Sequence, residues 1–122
     1  MGTTGQRTLF HCHHGNEELL VVLSGSPVVR TSDGDRVLRR GDMMIFPRGR
    51  RGSHAVRNPS DEPACYLFVS TMFEPDVLEL PESGKIGIFA GAPPRMGSDA
   101  PLELFVRMDA GVDYYDGETV ED

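Results

Sequence analysis

The stretch HCHHGNEELLVVLSG, residues 11–25, decides the fold class because two different patterns meet in it. Three histidines and two glutamates, all side chains that can bind metals, come first. An apolar run from Leu19 to Leu23 follows and ends at Ser24-Gly25, a pair typical of turns. Such a run between turn residues predicts a buried β-strand, with the polar residues just before and at its beginning.

Short apolar runs recur along the chain at the spacing of about 8 to 12 residues that is typical of all-β sandwiches and barrels. The predicted strands cover residues 7–13, 18–23, 27–31, 36–39, 43–46, 53–57 and 65–71. Between them lie turns rich in Gly, Asp, Asn and Pro, of which Asp33-Gly34 is the strongest hairpin signal. No window of helical length has a clean helical period, and only residues 74–79, with Pro75 near the start, suggest one helical turn.

The pattern loosens after residue 71. A glycine-containing segment, 73–91, leads into the linker GAPPRMGSDAP, a predicted strand at Leu102 to Arg107, and an acidic tail. We therefore expect a barrel core in residues 1–72 and a C-terminal arm in residues 73–122, which packs on the core or on a partner.

Composition and charge exclude several classes of protein. The chain has 122 residues, of which 39% are hydrophobic and 25% charged, as expected for one globular domain. Its net charge of −7 argues against nucleic acid and anionic membranes as partners. No apolar run is long enough for a membrane span or a signal peptide, and two cysteines make no disulfide framework. We therefore expect a cytoplasmic protein.

The charge is unevenly divided. Residues 1–58 carry nine arginines against five acids, whereas residues 59–122 carry three basic residues against fourteen acids. Ordinary solvated surface charge accounts for this division. The alternative is an acidic C-terminal arm that lies on a more basic core, within one chain or across a dimer.

The histidines have a spacing that suits a shared metal ion. Side chains alternate between the faces of a β-strand, so His11 and His13 point the same way, about 6.6 Å apart at about 3.3 Å per residue. Cys12 and His14 would point to the other face. Parity does not choose between Glu17 and Glu18, because the intervening turn resets the alternation. The remaining histidine, His54, follows a turn that contains Pro47 and Gly49.

Two motifs in the chain resemble those of the cupin superfamily. Residues 5–25 fit G-x5-H-x-H-x4-E-x6-G, and residues 41–58 fit G-x5-P-x-G-x4-H-x3-N, in which four residues separate Gly49 from His54 where the usual form has two. The resemblance implies a double-stranded β-helix, or jelly-roll barrel. It also implies one divalent metal ion (Fe, Mn, Ni, Zn, Co or Cu) bound by His11, His13, Glu18 and His54. Glu18 is selected because six residues separate it from Gly25, as in the motif.

The same resemblance suggests the function. A site with three imidazoles and one carboxylate leaves open positions on a six-coordinate ion, which suits a dioxygenase, an isomerase or a related enzyme that acts on a small polar or acidic organic molecule. The alternative is a non-catalytic cupin that binds or senses a sugar or metabolite, because a fold does not fix a reaction.

Four further residues are candidates for contact with the substrate: Met44, Phe46, Arg48 and Arg50. The two arginines precede His54 and suit a carboxylate or phosphate group, although a solvated turn or a contact with the acidic arm is the simpler explanation. Core packing is the simpler explanation for Met44 and Phe46. No catalytic acid or base is identifiable from the sequence.

The first motif begins early in the chain. Only ten residues precede His11, where similar proteins carry a strand or two. Either the chain is truncated, or a neighbouring copy covers the exposed sheet edge. We expect a homodimer in which terminal arms are shared, with a small molecule as the other partner.

Overall fold

The computed structural model describes residues 8–91 and 102–119, which form ten β-strands and two short 3₁₀ turns. The strands are β1 Cys12–His13, β2 Glu18–Ser24, β3 Val28–Thr31, β4 Gly34–Val37, β5 Met43–Phe46, β6 His54–Arg57, β7 Cys65–Ser70, β8 Asp76–Leu80, β9 Lys85–Ala90 and β10 Leu102–Arg107. The 3₁₀ turns are Arg50–Gly52 and Met108–Ala110. The motif residue Gly5 and nearly all of the predicted linker lie outside the described residues.

The strands pair antiparallel in three sheets, whose orders are β5-β2-β7, β4-β3-β6 and β1-β8-β9-β10. Alternate residues of the first two sheets face a common core, as the period of two along a strand requires. The buried cluster consists of Leu20, Val22, Val29, Leu38, Phe46 and Val56. Met44, Tyr66 and Phe68 pack against it.

Most of the predicted strands are confirmed in type and approximate position. β2, β3, β5, β6, β7 and β10 lie within two residues of their predicted bounds. The strand predicted at 36–39 begins earlier, at Gly34, because the turn at Asp33 is tighter than expected. The first strand is only two residues long, although it was predicted to span 7–13.

The predicted helical turn at residues 74–79 is wrong. Strand β8 occupies this segment and forms a hairpin with β9 and a ladder with β1. Its apolar pattern does not alternate because two acidic residues of the strand, Asp76 and Glu79, are themselves buried. Both carboxylates bind histidines of the first motif, as described below, and this pairing permits their burial.

The sheet edge beside the first motif is paired within the chain. β8 lies along β1, and His11 forms an isolated bridge with His54. The unpaired edge that suggested a homodimer is therefore covered by the same chain. The homodimer in which terminal arms are shared stays a prediction.

Candidate metal centre

Four side chains of the two sequence motifs converge on one end of the core. His11 immediately precedes β1, His13 lies in β1, Glu18 begins β2 and His54 begins β6. In β2, Leu20 and Val22 are buried, so Glu18 shares their inward face while Glu17 is exposed. Parity, which left Glu17 and Glu18 open in the sequence, therefore places Glu18, the residue that the motif selected, on the core face.

Three of these four residues bring donor atoms to distances that one ion can bridge, whereas His13 lies outside that group and reaches it through Glu18. The donor atoms of His11, Glu18 and His54 are all within 4.8 Å of one another. Glu18 Oε1 lies 3.8 Å from His54 Nε2 and 2.9 Å from His13 Nε2. The ring centroids of His11 and His13 are 5.2 Å apart, and those of His11 and His54 are 4.7 Å apart.

Each histidine is held through the same ring nitrogen. Nδ1 lies 2.7 Å from the Leu9 carbonyl oxygen in His11, 2.7 Å from Asp76 Oδ2 in His13, and 2.8 Å from the Gly52 carbonyl oxygen in His54. A carbonyl or ionised carboxylate oxygen only accepts hydrogen bonds, so each Nδ1 must donate. Each neutral ring therefore presents an unprotonated Nε2, the form in which histidine binds a metal.

Two atoms in the centre are buried without a hydrogen-bond partner, namely Glu18 Oε1 and His54 Nε2. The close approach of His13 Nε2 to Glu18 Oε1 does not supply a hydrogen bond of suitable geometry. Unpartnered buried polar atoms are costly and rare in proteins. A cation between these atoms would satisfy both, so the residues fit a metal.

The electrostatics of the centre also suit a cation. Burial, together with repulsion from His11, lowers the pKa of His54 to about 4. Burial likewise lowers the pKa of His11. Burial opposes ionisation of Glu18, but the neighbouring histidines outweigh it and hold its pKa below the usual value. At neutral pH the centre therefore combines two neutral imidazoles with a carboxylate.

His13 differs from the other two rings because it lies between two acids. Burial alone would lower its pKa, but the carboxylates of Glu18 and Asp76 outweigh burial and raise it. A metal ion would take the place of the proton that His13 otherwise attracts.

Asp76 is a candidate functional residue that sequence reasoning missed. Its side chain is 6% exposed, and besides His13 it accepts the backbone N–H groups of Gly15 at 3.0 Å and Val77 at 2.9 Å. Burial opposes ionisation, but contacts with Asn16, His13 and Gly15 hold the pKa of Asp76 below its usual value. The carboxylate therefore orients His13 from behind, as outer partners of metal-binding histidines do.

The four predicted substrate residues lie in different places. Phe46 is buried and stacks on His54 with ring centroids 3.6 Å apart, and Met44 packs against the core. Arg48 is exposed with its guanidinium 5.3 Å from the ring centroid of Phe73. Arg50 is bound to Glu79, with Nε and Nη2 each 2.9 Å from Oε2.

Comparison with known proteins gives the family and the fold. The family model described as Cupin domain matches residues 3–70, which is more than half of the chain. No match was found among curated proteins. Within the described residues, no helix is long and apolar enough to cross a membrane.

Two solved structures superpose on nearly the whole chain. A putative sugar phosphate isomerase from Acidithiobacillus ferrooxidans ATCC 23270 has 22% identity and a TM-score of 0.75, over 91% of this chain and 65% of that one. A sugar phosphate isomerase of a cupin superfamily, from Silicibacter pomeroyi DSS-3, has 23% identity and a TM-score of 0.76, over 93% of this chain and 68% of that one. The chain thus spans about two thirds of their length, slightly less for the first.

A third structure, a protein from Thermus thermophilus, has 33% identity and a TM-score of 0.52, over 57% of this chain and 64% of that one. Together, these similarities confirm the predicted fold class, an all-β double-stranded β-helix. At such identities the two isomerase structures show the fold alone.

Proposed function

We propose that this chain, which belongs to the cupin family, is a metal-dependent enzyme that acts on a small polar or acidic organic molecule. The observation that supports the proposal is the common orientation of three imidazoles, each fixed through Nδ1 with Nε2 directed inward, around the carboxylate of Glu18. Isomerisation of a phosphorylated sugar is the first reaction to test, because two proteins of the same fold bear that name.

In this proposal His11, His13, Glu18 and His54 hold one divalent ion. When bound, such an ion polarises a carbonyl group or lowers the pKa of a bound water. Imidazole and carboxylate donors suit Mn, Fe, Co, Ni, Cu and Zn alike, so the donor set does not choose among them.

The protein's own residues prepare this centre. Asp76 keeps His13 in the metal-binding tautomer, and the stacked ring of Phe46 covers one face of His54 and excludes water from it. Arg48 is an exposed surface charge close to the second motif and can attract an anionic substrate. Arg50 is a weaker candidate for this role because Glu79 neutralises it.

Metal binding can be tested with a pair of adjacent glutamates. Glu18→Gln removes the charged ligand, whereas Glu17→Gln makes the same change one residue away on the exposed face. Titration with Mn²⁺ by calorimetry, on protein purified without a tag or chelator, should show one site in the wild type and in Glu17→Gln. In Glu18→Gln the affinity should fall by more than the roughly 10- to 100-fold that loss of an outer partner typically costs. Equal affinity in both variants would refute the centre.

A non-catalytic binding or sensing cupin is the second candidate, and one observation favours it. Phe46 lies against His54, and Phe68 follows at a centroid distance of 6.1 Å, so aromatic rings occupy space beside the centre. Incubation of the metal-loaded protein with phosphorylated aldoses and ketoses, followed by NMR, separates the two candidates. Conversion that is lost in Glu18→Gln supports the enzyme, whereas saturable binding without conversion supports the binding protein.

We also propose a homodimer formed through the outer face of the β5-β2-β7 sheet. The register places Ile45 and Val69 on either side of Leu19, and Met43 and Leu67 on either side of Val21. The side chains of Met43, Ile45, Leu67 and Val69 are 48% to 68% exposed. They form an apolar patch of the kind found at interfaces. Light scattering at micromolar concentration should give the dimer mass, and a monomer mass would refute it.

The location is proposed to be cytoplasmic. Cys12 and Cys65 are both free thiols, as expected in a reducing compartment.

A further inference from the structure

A second cluster of metal-binding side chains lies on the opposite face of β1. Cys12 and His14 alternate with His11 and His13 along the chain, and the cross-strand partner of Cys12 on β8 is Glu79. Cys12 Sγ, one ring nitrogen of His14 and one carboxylate oxygen of Glu79 are all within 4.8 Å of one another. The alternation of β1 turns this group away from the centre described above.

The three donor atoms lie close enough together to share one ion. His14 Nε2 lies 2.8 Å from Glu79 Oε1 and 3.8 Å from Cys12 Sγ. Tetrahedral zinc, with bonds of about 2.0–2.3 Å, holds its donors about 3.3 to 3.6 Å apart. The separations of His14 Nε2 from the other two donors bracket these values, so a small shift of the half-exposed His14 ring would bring both close to them.

Arg50 prepares the carboxylate for this role. Its Nε and Nη2 atoms bind Glu79 Oε2 at 2.9 Å each, while Oε1 is the oxygen directed at His14. Oε1 also accepts Nε–H at the longer distance of 3.2 Å, so Arg50 holds the whole carboxylate and binds Oε2 more closely. The second lone pair of Oε1, which faces His14, remains available as a ligand. The arginine also offsets part of the negative charge that a thiolate and a carboxylate bring together.

Burial separates the roles of the three side chains. Cys12 is fully buried and the side chain of Glu79 is 4% exposed, whereas that of His14 is 40% exposed. Two donors are therefore fixed by the fold and the third faces solvent. This arrangement gives an ion a path of entry and leaves a fourth position for water.

We propose that Cys12, His14 and Glu79 form a second cation site, which takes a thiolate-binding divalent ion such as Zn²⁺. The ion replaces the proton between His14 and Glu79 and clamps β1 to β8. Because β1 has only two residues, such a clamp would fix the strand that carries His13 on its other face. The site is structural and does not depend on the first centre.

Cobalt distinguishes this site from the first centre because only the second contains sulfur. Full-length reduced protein is titrated with Co²⁺, and the sulfur-to-cobalt charge-transfer band in the near ultraviolet is recorded. The band should saturate at one equivalent per chain in the wild type and persist in Cys65→Ser, the matched thiol control. It should disappear in Cys12→Ser and, because a ligand is lost, need at least about 10-fold more cobalt in His14→Gln.

Glu18→Gln keeps the two proposals separate. This variant should retain the sulfur-to-cobalt band even though its Mn²⁺ affinity falls, so failure of one site leaves the other testable. Absence of the band in folded wild-type protein at saturating cobalt would overturn the second site. A band that persists in Cys12→Ser but vanishes in Cys65→Ser would also overturn it. His14→Gln supplies the answer if circular dichroism shows that Cys12→Ser does not fold.

Discussion

The substitution Asp76→Asn tests the centre through a residue that does not touch the proposed metal. Asp76 Oδ1 accepts two backbone N–H groups, and Oδ2 accepts Nδ1–H of His13 at 2.7 Å. An asparagine that keeps its oxygen on the backbone groups must turn its NH₂ toward His13. Nδ1 would then have to accept, which moves the ring proton to Nε2, the atom that faces Glu18. The opposite amide rotamer is unfavourable, because it directs the NH₂ group at the backbone N–H groups of Gly15 and Val77, which are also donors.

The expected loss of metal affinity follows from this tautomer change. Removal of the outer partner of a metal-binding histidine typically costs roughly 10- to 100-fold in affinity, or about 1.4 to 2.8 kcal/mol. The fold should survive, because the rest of β8 keeps its backbone pairing with β1 and β9. We therefore expect Asp76→Asn to weaken Mn²⁺ binding within that range while the cooperative unfolding transition is retained.

Calorimetric Mn²⁺ titration and urea unfolding of the same samples measure the two effects. Asp35→Asn is the matched control, because Asp35 also binds a cationic side chain, Arg57, but at the surface. Its affinity for Mn²⁺ should equal that of the wild type. Wild-type affinity in Asp76→Asn would show that the carboxylate does not set the tautomer of His13, and would refute the role of Asp76 as its outer partner.

Three other predictions concern stability. Phe46→Ala should lower the free energy of unfolding, measured by urea titration, by about 3–5 kcal/mol, because Phe46 is 4% exposed. The control Met43→Ala lies in the same strand at a position that is 66% exposed, so it should change this free energy by less than about 0.5 kcal/mol. In metal-free protein the pKa of His54 is about 4 in the folded state and about 6.5 in the unfolded chain. As the pH falls, the unfolded chain is therefore protonated before the folded protein. The free energy of unfolding should decrease by up to about 3 kcal/mol between pH 6.5 and pH 4. His54→Gln should remove this part of the pH profile, and an unchanged slope would contradict the assignment. Gly52→Ala places a Cβ 1.8 Å from the Pro47 carbonyl oxygen, so it should lower the free energy of unfolding by at least the roughly 1–3 kcal/mol that is typical of overpacking. A variant that unfolds at the same urea concentration as the wild type would contradict this.

The positions that the sequence could predict are those governed by the period of two along a strand. His11 and His13 share a face for this reason, whereas Glu18 was selected by the spacing of the first motif, because parity left Glu17 and Glu18 open. The turn before His54 could be recognised from its glycines and proline. The spacing of these residues therefore carried enough information to bring them together, before any distance was known.

The part that could not be predicted lies in β8. Asp76 is 63 residues after His13, and no local rule indicates which strand will lie along β1. The segment DVLEL also lacks alternation, because Asp76 and Glu79 are buried on opposite faces. A signal does exist in retrospect. Asp76 and Glu79, three positions apart, can reach the successive histidines His13 and His14 when the two strands are antiparallel. This pairing can be recognised only when the register of the strands is known.

The charge division of the sequence acquires a structural meaning at this strand pair. Three acids of the second half of the chain, Asp76, Glu79 and Glu82, contact basic groups of the first half: His13, Arg50 together with His14, and Arg30 respectively. The first two contacts lie on opposite faces of the two-residue strand β1, whose backbone ladder is too short to fix it firmly. Side-chain pairing with β8 therefore supplies what the ladder lacks. His13 and His14 lie within the first motif, but the orientation of their rings depends on carboxylates that the chain supplies more than sixty residues later.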